Sequence, residues 1–168
     1  VSDGVAIRAG RDGDLAPLAR LYDHYVEHTA ITFDLEPFGV EGRRPWLAQF
    51  AETGRHRLFV ADVDGEAVGF ASSHGFRPKG AYATSVETSI YLAPGSTGRG
   101  IGARLYDALF DALAREDVHR AYAGITLPNA ASTTLHERHG FARVAVFDEV
   151  GFKHGRYWSV AWYEKRLR

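Results

Sequence analysis

The chain has 168 residues, 45% apolar and 24% charged, with a formal net charge of −1. That describes one globular domain, expected over residues 1–168, with no basic field for nucleic acid and no polybasic stretch for a membrane surface. Cysteine is absent, which excludes disulfides, thiolate catalysis and cysteine-bound zinc and suits a cytoplasmic protein; no apolar run nears the roughly 18 residues of a membrane-spanning helix, and the N-terminus has no signal-peptide core.

Val5 to Ala9 reads as a first strand. Asp12 and Asp14 offer N-caps to a helix with Pro17 in its first turn and an apolar stripe of Leu15, Leu18, Leu21, Tyr22 and Tyr25. A second helix is expected over 41–52, interrupted by Gly42 and Pro45, after an irregular aromatic segment from Thr29 to Phe38. Leu58 to Val63 and Ala67 to Ser72 alternate as strands around Asp64-Gly65, a tight-hairpin signal. A loop from Gly75 to Gly80 carries Arg77 and Lys79 and leads into a strand from Ser85 to Leu92.

A glycine-rich loop over 95–102 then feeds a helix running to about Arg115. Its expected buried face is Ile101, Leu105, Ala108, Leu109, Ala112 and Leu113, with Asp111 and Arg115 paired on the exposed face. His119 to Thr126 reads as a strand, and Asn129 to His139 as a short helix closed by Gly140. The remainder forms two strands around 151–155.

The strongest chemical signal is Ser96-Thr97-Gly98-Arg99-Gly100-Ile101-Gly102. Glycines let successive N–H groups point into one concavity, and the following helix start adds free N–H groups and a positive dipole end, which suits a phosphate or pyrophosphate. A plain tight turn is the competing reading. An NTPase loop needs Gly-Lys-Ser/Thr, whereas Ile101 follows Gly100. A dinucleotide fold wants an acid at the end of the next strand, which here reads Thr126-Leu127-Pro128-Asn129. A pyrophosphate on a pantetheine carrier is the better remaining candidate. His24 with His28, and His136 with His139, sit at helical spacing but form no His-Glu-x-x-His, and no metal is expected.

The order strand, Gly98-Arg99-Gly100-Ile101-Gly102, helix resembles the acetyl-CoA loop of GNAT-superfamily N-acetyltransferases. Thr97 stands where that family usually has Gln or Arg. The resemblance is closer to the phosphinothricin and methionine-sulfoximine acetyltransferase branch. It rests on Thr32-Phe33, Ala81-Tyr82, Val86-Glu87-Thr88-Ser89-Ile90-Tyr91, Leu127-Pro128-Asn129, Leu135-His136-Glu137 and 150–156, and spans nearly the whole chain.

It implies a mixed α/β GNAT fold: a twisted, mostly antiparallel sheet with helices on both faces, split where acetyl-CoA enters. It implies acetyl transfer to the amino group of a small molecule, an amino acid or analogue. Acetyl-CoA contacts are implied for Ile90, Tyr91, Leu92, Thr97, Gly98, Arg99, Gly100, Ile101, Gly102 and Asn129. An acceptor pocket is implied from Phe33, Gly75, Phe76, Arg77, Tyr82 and Glu87.

Transfer to an amine needs the amine neutral, and a free aliphatic amine titrates near ~10. Something must accept its proton and something should assist the leaving thiolate. Strand alternation puts Glu87, Ser89 and Tyr91 on one face and Val86, Thr88 and Ile90 on the other. Taken alone, Glu87 reads as a solvent-facing strand carboxylate; the resemblance assigns it as the base. His136, two helical turns after Asn129, reads alone as an ordinary partly buried histidine, and the resemblance assigns it to thiolate departure, with Asn129 orienting. Relatives of this kind are usually dimers, so the resemblance implies a homodimer, with Tyr157 to Tyr163 as the expected contact. The rival readings are an inactive acyl-CoA-binding module, an acetyltransferase for a non-amino-acid amine, and a dinucleotide enzyme.

Overall fold

Asp64 and Gly65 both take positive φ, 52° and 89°. They join β2 (Leu58–Val63) to β3 (Glu66–Gly75) in the hairpin the dipeptide predicts. A computed structural model describes residues 4–168, so Val1, Ser2 and Asp3 of the expected domain lie outside the described residues. β1 (Val5–Ala9) pairs antiparallel with β2, and β3 pairs antiparallel with β4 (Ser85–Leu92). β4 runs parallel to β5 (Arg120–Thr126), which continues antiparallel to β7 (Arg156–Arg166), and β6 (Ala142–Lys153) is the outer strand. The order is β1-β2-β3-β4-β5-β7-β6.

Helices cover both faces. α1 (Leu15–His28) and α2 (Gly39–Leu47) bury Leu15, Leu18, Tyr22, Val26 and Leu47 against Leu58, Val60 and Phe70 on one side. On the other side α3 (Ile101–Leu113) packs Ile101, Leu105, Tyr106, Leu109, Phe110 and Leu113 against Ala61, Ala71, Val86 and Ala121. Fully burying a leucine or phenylalanine is worth about 1.5–3 kcal/mol, so these two layers fix both helix pairs to the sheet. α4 (Ala130–Arg138) lies beside α3, with Leu135 packed on the second core.

Four local expectations change. Asp14 occupies the N-cap of α1 but makes no side-chain cap bond. Its carboxylate instead takes Arg8 Nη1 and Nη2 at 2.8 and 2.7 Å and the Arg11 amide at 2.8 Å. Burial opposes the charged carboxylate, and those bonds outweigh burial, leaving Asp14 below its ordinary pKa. α2 starts and stops earlier than expected, at Gly39 and Leu47, with Pro45 tolerated near its C-terminus. On α3 the buried stripe turns toward Tyr106 and Phe110, while Ala108 and Ala112 are only half-buried. The helix also ends at Leu113, before Arg115, and no ion pair joins Asp111 to Arg115 among the described residues.

Candidate active site

β4 and β5 pair over only three residues, Ser85↔Arg120, Val86↔Ala121 and Glu87↔Tyr122. Beyond them β4 stays with β3 as far as Leu92, while β5 follows β7 as far as Thr126. The sheet therefore splits just after Glu87. Thr88 sits at the fork, its Oγ1 donating to the Tyr122 carbonyl at 3.3 Å. A cavity of about 520 Å³ occupies the split. Its walls include Tyr22, Arg43 and Trp46 from the α1–α2 side and Tyr106, Asn129 and His136 from the α3–α4 side, so it runs through the sheet.

Glu87 lies at the fork, half-buried, opposite His74 in the β3–β4 register and lining the cavity. Burial pushes its pKa above the ordinary carboxylate value, and the positive charge of Arg77 works against that rise. Ser89 and Tyr91 share its face, as alternation predicts, and Ile90 lines the cavity too. Leu92 packs on the core at the strand's end, where its carbonyl accepts from Tyr25 Oη at 2.6 Å.

His136 is buried and lines the same cavity. Its Nδ1 lies 2.7 Å from the Ser132 carbonyl, which can only accept, so Nδ1 carries the proton. Nε2 is then an acceptor, and it takes the hydroxyl of Tyr106 at 2.8 Å. Burial lowers the His136 pKa below the imidazole range, leaving the ring neutral at pH 7. Tyr106, itself buried and on the cavity wall, is the residue that sequence reasoning missed; burial raises its pKa and keeps its hydroxyl protonated. Asn129 lines the cavity as well, but its side-chain oxygen is engaged as the N-cap of α4, accepting from the Ser132 amide at 3.1 Å.

The glycine loop reaches α3 through Gly98 and Gly100, at φ 73° and 75°, in the left-handed region that favours glycine. A Cβ at either would meet nothing within 4 Å, so the space beside the loop is open at both positions. Thr97 Oγ1 bonds the Pro94 carbonyl at 3.1 Å and braces the turn, Arg99 is exposed, and Ile101 and Gly102 begin the buried helix. The 13-residue helix leaves its first N–H groups without intrahelical acceptors, which fits a pyrophosphate.

The expected acceptor residues divide into two groups. Phe33 lines the cavity. Gly75, Phe76, Arg77 and Tyr82 lie outside its wall, Gly75 as the last residue of β3 and the others on the connection to β4. Phe76 stacks on Tyr122 at 4.4 Å and meets Trp162, a cavity residue, edge-on at 6.2 Å. Tyr82 packs against Phe76 at 5.9 Å. The Arg77 guanidinium lies 4.2 Å from the Phe76 ring centre and 5.7 Å from that of Trp162, bonded only to the Phe76 carbonyl. Among the described residues no three His, Asp or Glu side chains converge as a metal site, and no helix is long and apolar enough to cross a membrane.

A mixed sheet split between two parallel strands, with a glycine turn at the adjacent helix start, is the GNAT architecture. The chain belongs to the acetyltransferase (GNAT) family, whose profile matches residues 18–141. It is 59% identical to a phosphinothricin N-acetyltransferase of Streptomyces coelicolor over 97% of this chain and 96% of that protein. It is also 31% identical to an L-methionine sulfoximine/L-methionine sulfone acetyltransferase of Salmonella typhimurium, over 97% and 95%. Among solved structures, an acetyltransferase from Salmonella typhimurium with acetyl-CoA superposes with TM-score 0.92 at 29% identity, covering 99% of this chain and 95% of that one. A phosphinothricin acetyltransferase from Sinorhizobium meliloti in complex with acetyl-CoA gives TM-score 0.92 at 28%, covering 98% and 89%.

Proposed function

We propose that the protein transfers the acetyl group of acetyl-CoA to the α-amino group of a small amino acid or analogue of the phosphinothricin and methionine sulfone type. The observation that carries this reading is the cavity through the split sheet, with a half-buried carboxylate on one wall and a tyrosine–histidine pair on the other. Acetyl-CoA supplies an acetyl thioester there. The Thr97–Gly102 loop and the start of α3 hold its pyrophosphate. The β4 edge beyond Glu87, unpaired on its β5 side, offers backbone groups to the pantetheine amides.

Glu87 takes the amine's proton, directly or through a water. Its raised pKa makes it a better base than an exposed glutamate. Activity accordingly falls with acidification through that raised pKa, above the range of an ordinary carboxylate. Tyr106 turns its hydroxyl from His136 Nε2 toward the departing sulfur and stabilises the thiolate by a hydrogen bond. His136 positions that hydroxyl, and Asn129 positions α4.

Gly100→Val tests the loop. Valine at φ 75° is strained, and its branches enter the open space beside the loop. Acetyl-CoA affinity measured by calorimetry is expected to fall at least ~10-fold, about 1.4 kcal/mol. Unchanged affinity in a folded variant would place the pyrophosphate elsewhere.

Arg77, which forms no ion pair among the described residues, and Lys79 on the same exposed loop hold the acceptor's α-carboxylate at the cavity mouth. Arg77→Ala is therefore expected to raise KM roughly tenfold for amino acids and to leave the matching decarboxylated amines unaffected. Equal effects on both sets, or a wild-type preference for polyamines, would refute this placement.

The protein is a cytoplasmic homodimer in this reading. The outer strand β6 exposes Val144, Val146, Phe147, Val150 and Phe152 at 42–58% of their surface, and Tyr157 of β7 lies beside them at 59%. An edge strand this long and apolar calls for a cover, which a second copy supplies.

A further inference from the structure

Among the described residues three buried side-chain atoms lack a hydrogen-bond partner: Arg43 Nε, Ser72 Oγ and His74 Nδ1. Two of the three residues, Arg43 and His74, line the cavity. Ser72 follows Phe70 and precedes His74 on one face of β3, and both of those neighbours are cavity residues. Buried polar atoms are nearly always paired, so two orphans on the cavity wall, with Ser72 between cavity residues on the same strand face, call for a ligand that supplies acceptors.

Arg43 is the least expected of them. The residue is only 8% exposed, yet its guanidinium makes no ion pair or hydrogen bond among the described residues. It is sandwiched between the rings of Tyr22, 3.7 Å away, and Trp46, 4.2 Å away. Asp34 makes no ion pair with it; that carboxylate takes the hydroxyls of Tyr22 and Thr32. Stacking holds the planar cation while leaving its N–H edge free, which is how a fork for an oxyanion is presented.

We propose that Arg43, with Ser72 Oγ and His74 Nδ1, forms an anion subsite in the α1–α2 wall of the cavity that takes the oxyanion ending the acceptor's side chain. The proposal rests on the acetyl-transfer reading and narrows it: acceptors bearing a second anion, beyond the α-carboxylate, are preferred. Phosphinate, phosphonate and carboxylate side chains satisfy it, and apolar ones do not.

Phosphinothricin and methionine sulfone provide the test, because they share one heavy-atom skeleton and differ in a charged methylphosphinate against a neutral methylsulfonyl group. Arg43→Met retains a long side chain between Tyr22 and Trp46 but removes the charge. In initial-rate assays KM for phosphinothricin is expected to rise roughly 10–100-fold, and for methionine sulfone less than about threefold. Arg43→Lys is expected to recover part of the loss. Equal losses on both acceptors, or none on either, would overturn the subsite. Unchanged acetyl-CoA affinity confirms that the variant is folded. Calorimetry with phosphinothricin alone separates the two claims. Binding that Arg43→Met abolishes supports the subsite even where no acetyl group is transferred, whereas wild-type binding that survives the substitution overturns it.

Discussion

Replacing Glu87 with Gln is expected to lower kcat/KM by at least ~10² at neutral pH while acetyl-CoA affinity stays nearly constant. The substitution keeps the side chain's shape at the fork of the sheet and removes its basicity. The loss should shrink as pH rises toward the amine's own pKa, near ~10, because the acceptor then arrives deprotonated. The sign of the wild-type profile follows from the same group. Burial raises the Glu87 pKa, so the active carboxylate form is lost as pH falls through a value above the ordinary one. In Glu87→Gln that acid limb disappears. Near-native turnover of the variant at pH 7 would send the proton by another route, with His136 the next acceptor in reach of the cavity.

Tyr106→Phe is expected to reduce kcat by about 10²-fold with little change in KM, since the hydroxyl acts on charge that develops only as the sulfur leaves. The ring contacts with Phe110 and Phe141 remain. Removing the hydroxyl leaves buried His136 Nε2 without its donor, a cost of about 1–3 kcal/mol that should appear as a lower Tm. A stability loss with unchanged kcat would make the pair purely structural.

Much of this arrangement was legible before the fold. β4 and its alternation could be read from Ser85 to Leu92, because a run of β-branched and aromatic residues allows few other structures. The Asp64-Gly65 turn and the Gly98–Gly102 loop were legible for the same reason: positive φ needs particular residues. The groups that face each other across the cavity were harder to find. Tyr106 fell outside the stripe expected to be buried on its helix, and only the approach of α4 brings a histidine 30 residues later to its hydroxyl.

Arg43 was hidden differently. Adjacent to Arg44, it looks like half of a solvated basic pair. The fold separates the two: Arg44 meets Glu41 in the open at 2.9 Å, and Arg43 turns inward between aromatic rings. Asp14 misled through its neighbours, since a residue suited to capping was claimed by Arg8 of β1. For Tyr106 the missing partner stood 30 residues away, whereas Asp14 was claimed from only six residues off.

The central claim, acetyl transfer to an amino-acid amine in the split of the sheet, is tested most directly by analysing products. The wild-type protein is incubated with acetyl-CoA and, in turn, phosphinothricin, methionine sulfone and their decarboxylated amines, with CoA release and acceptor mass followed together. The predicted result is one acetyl group on the α-amino nitrogen for each CoA released, fastest with the amino acids. Acetyl-CoA binding with no acetylated product from any of these acceptors would contradict it and leave a CoA-binding module in its place.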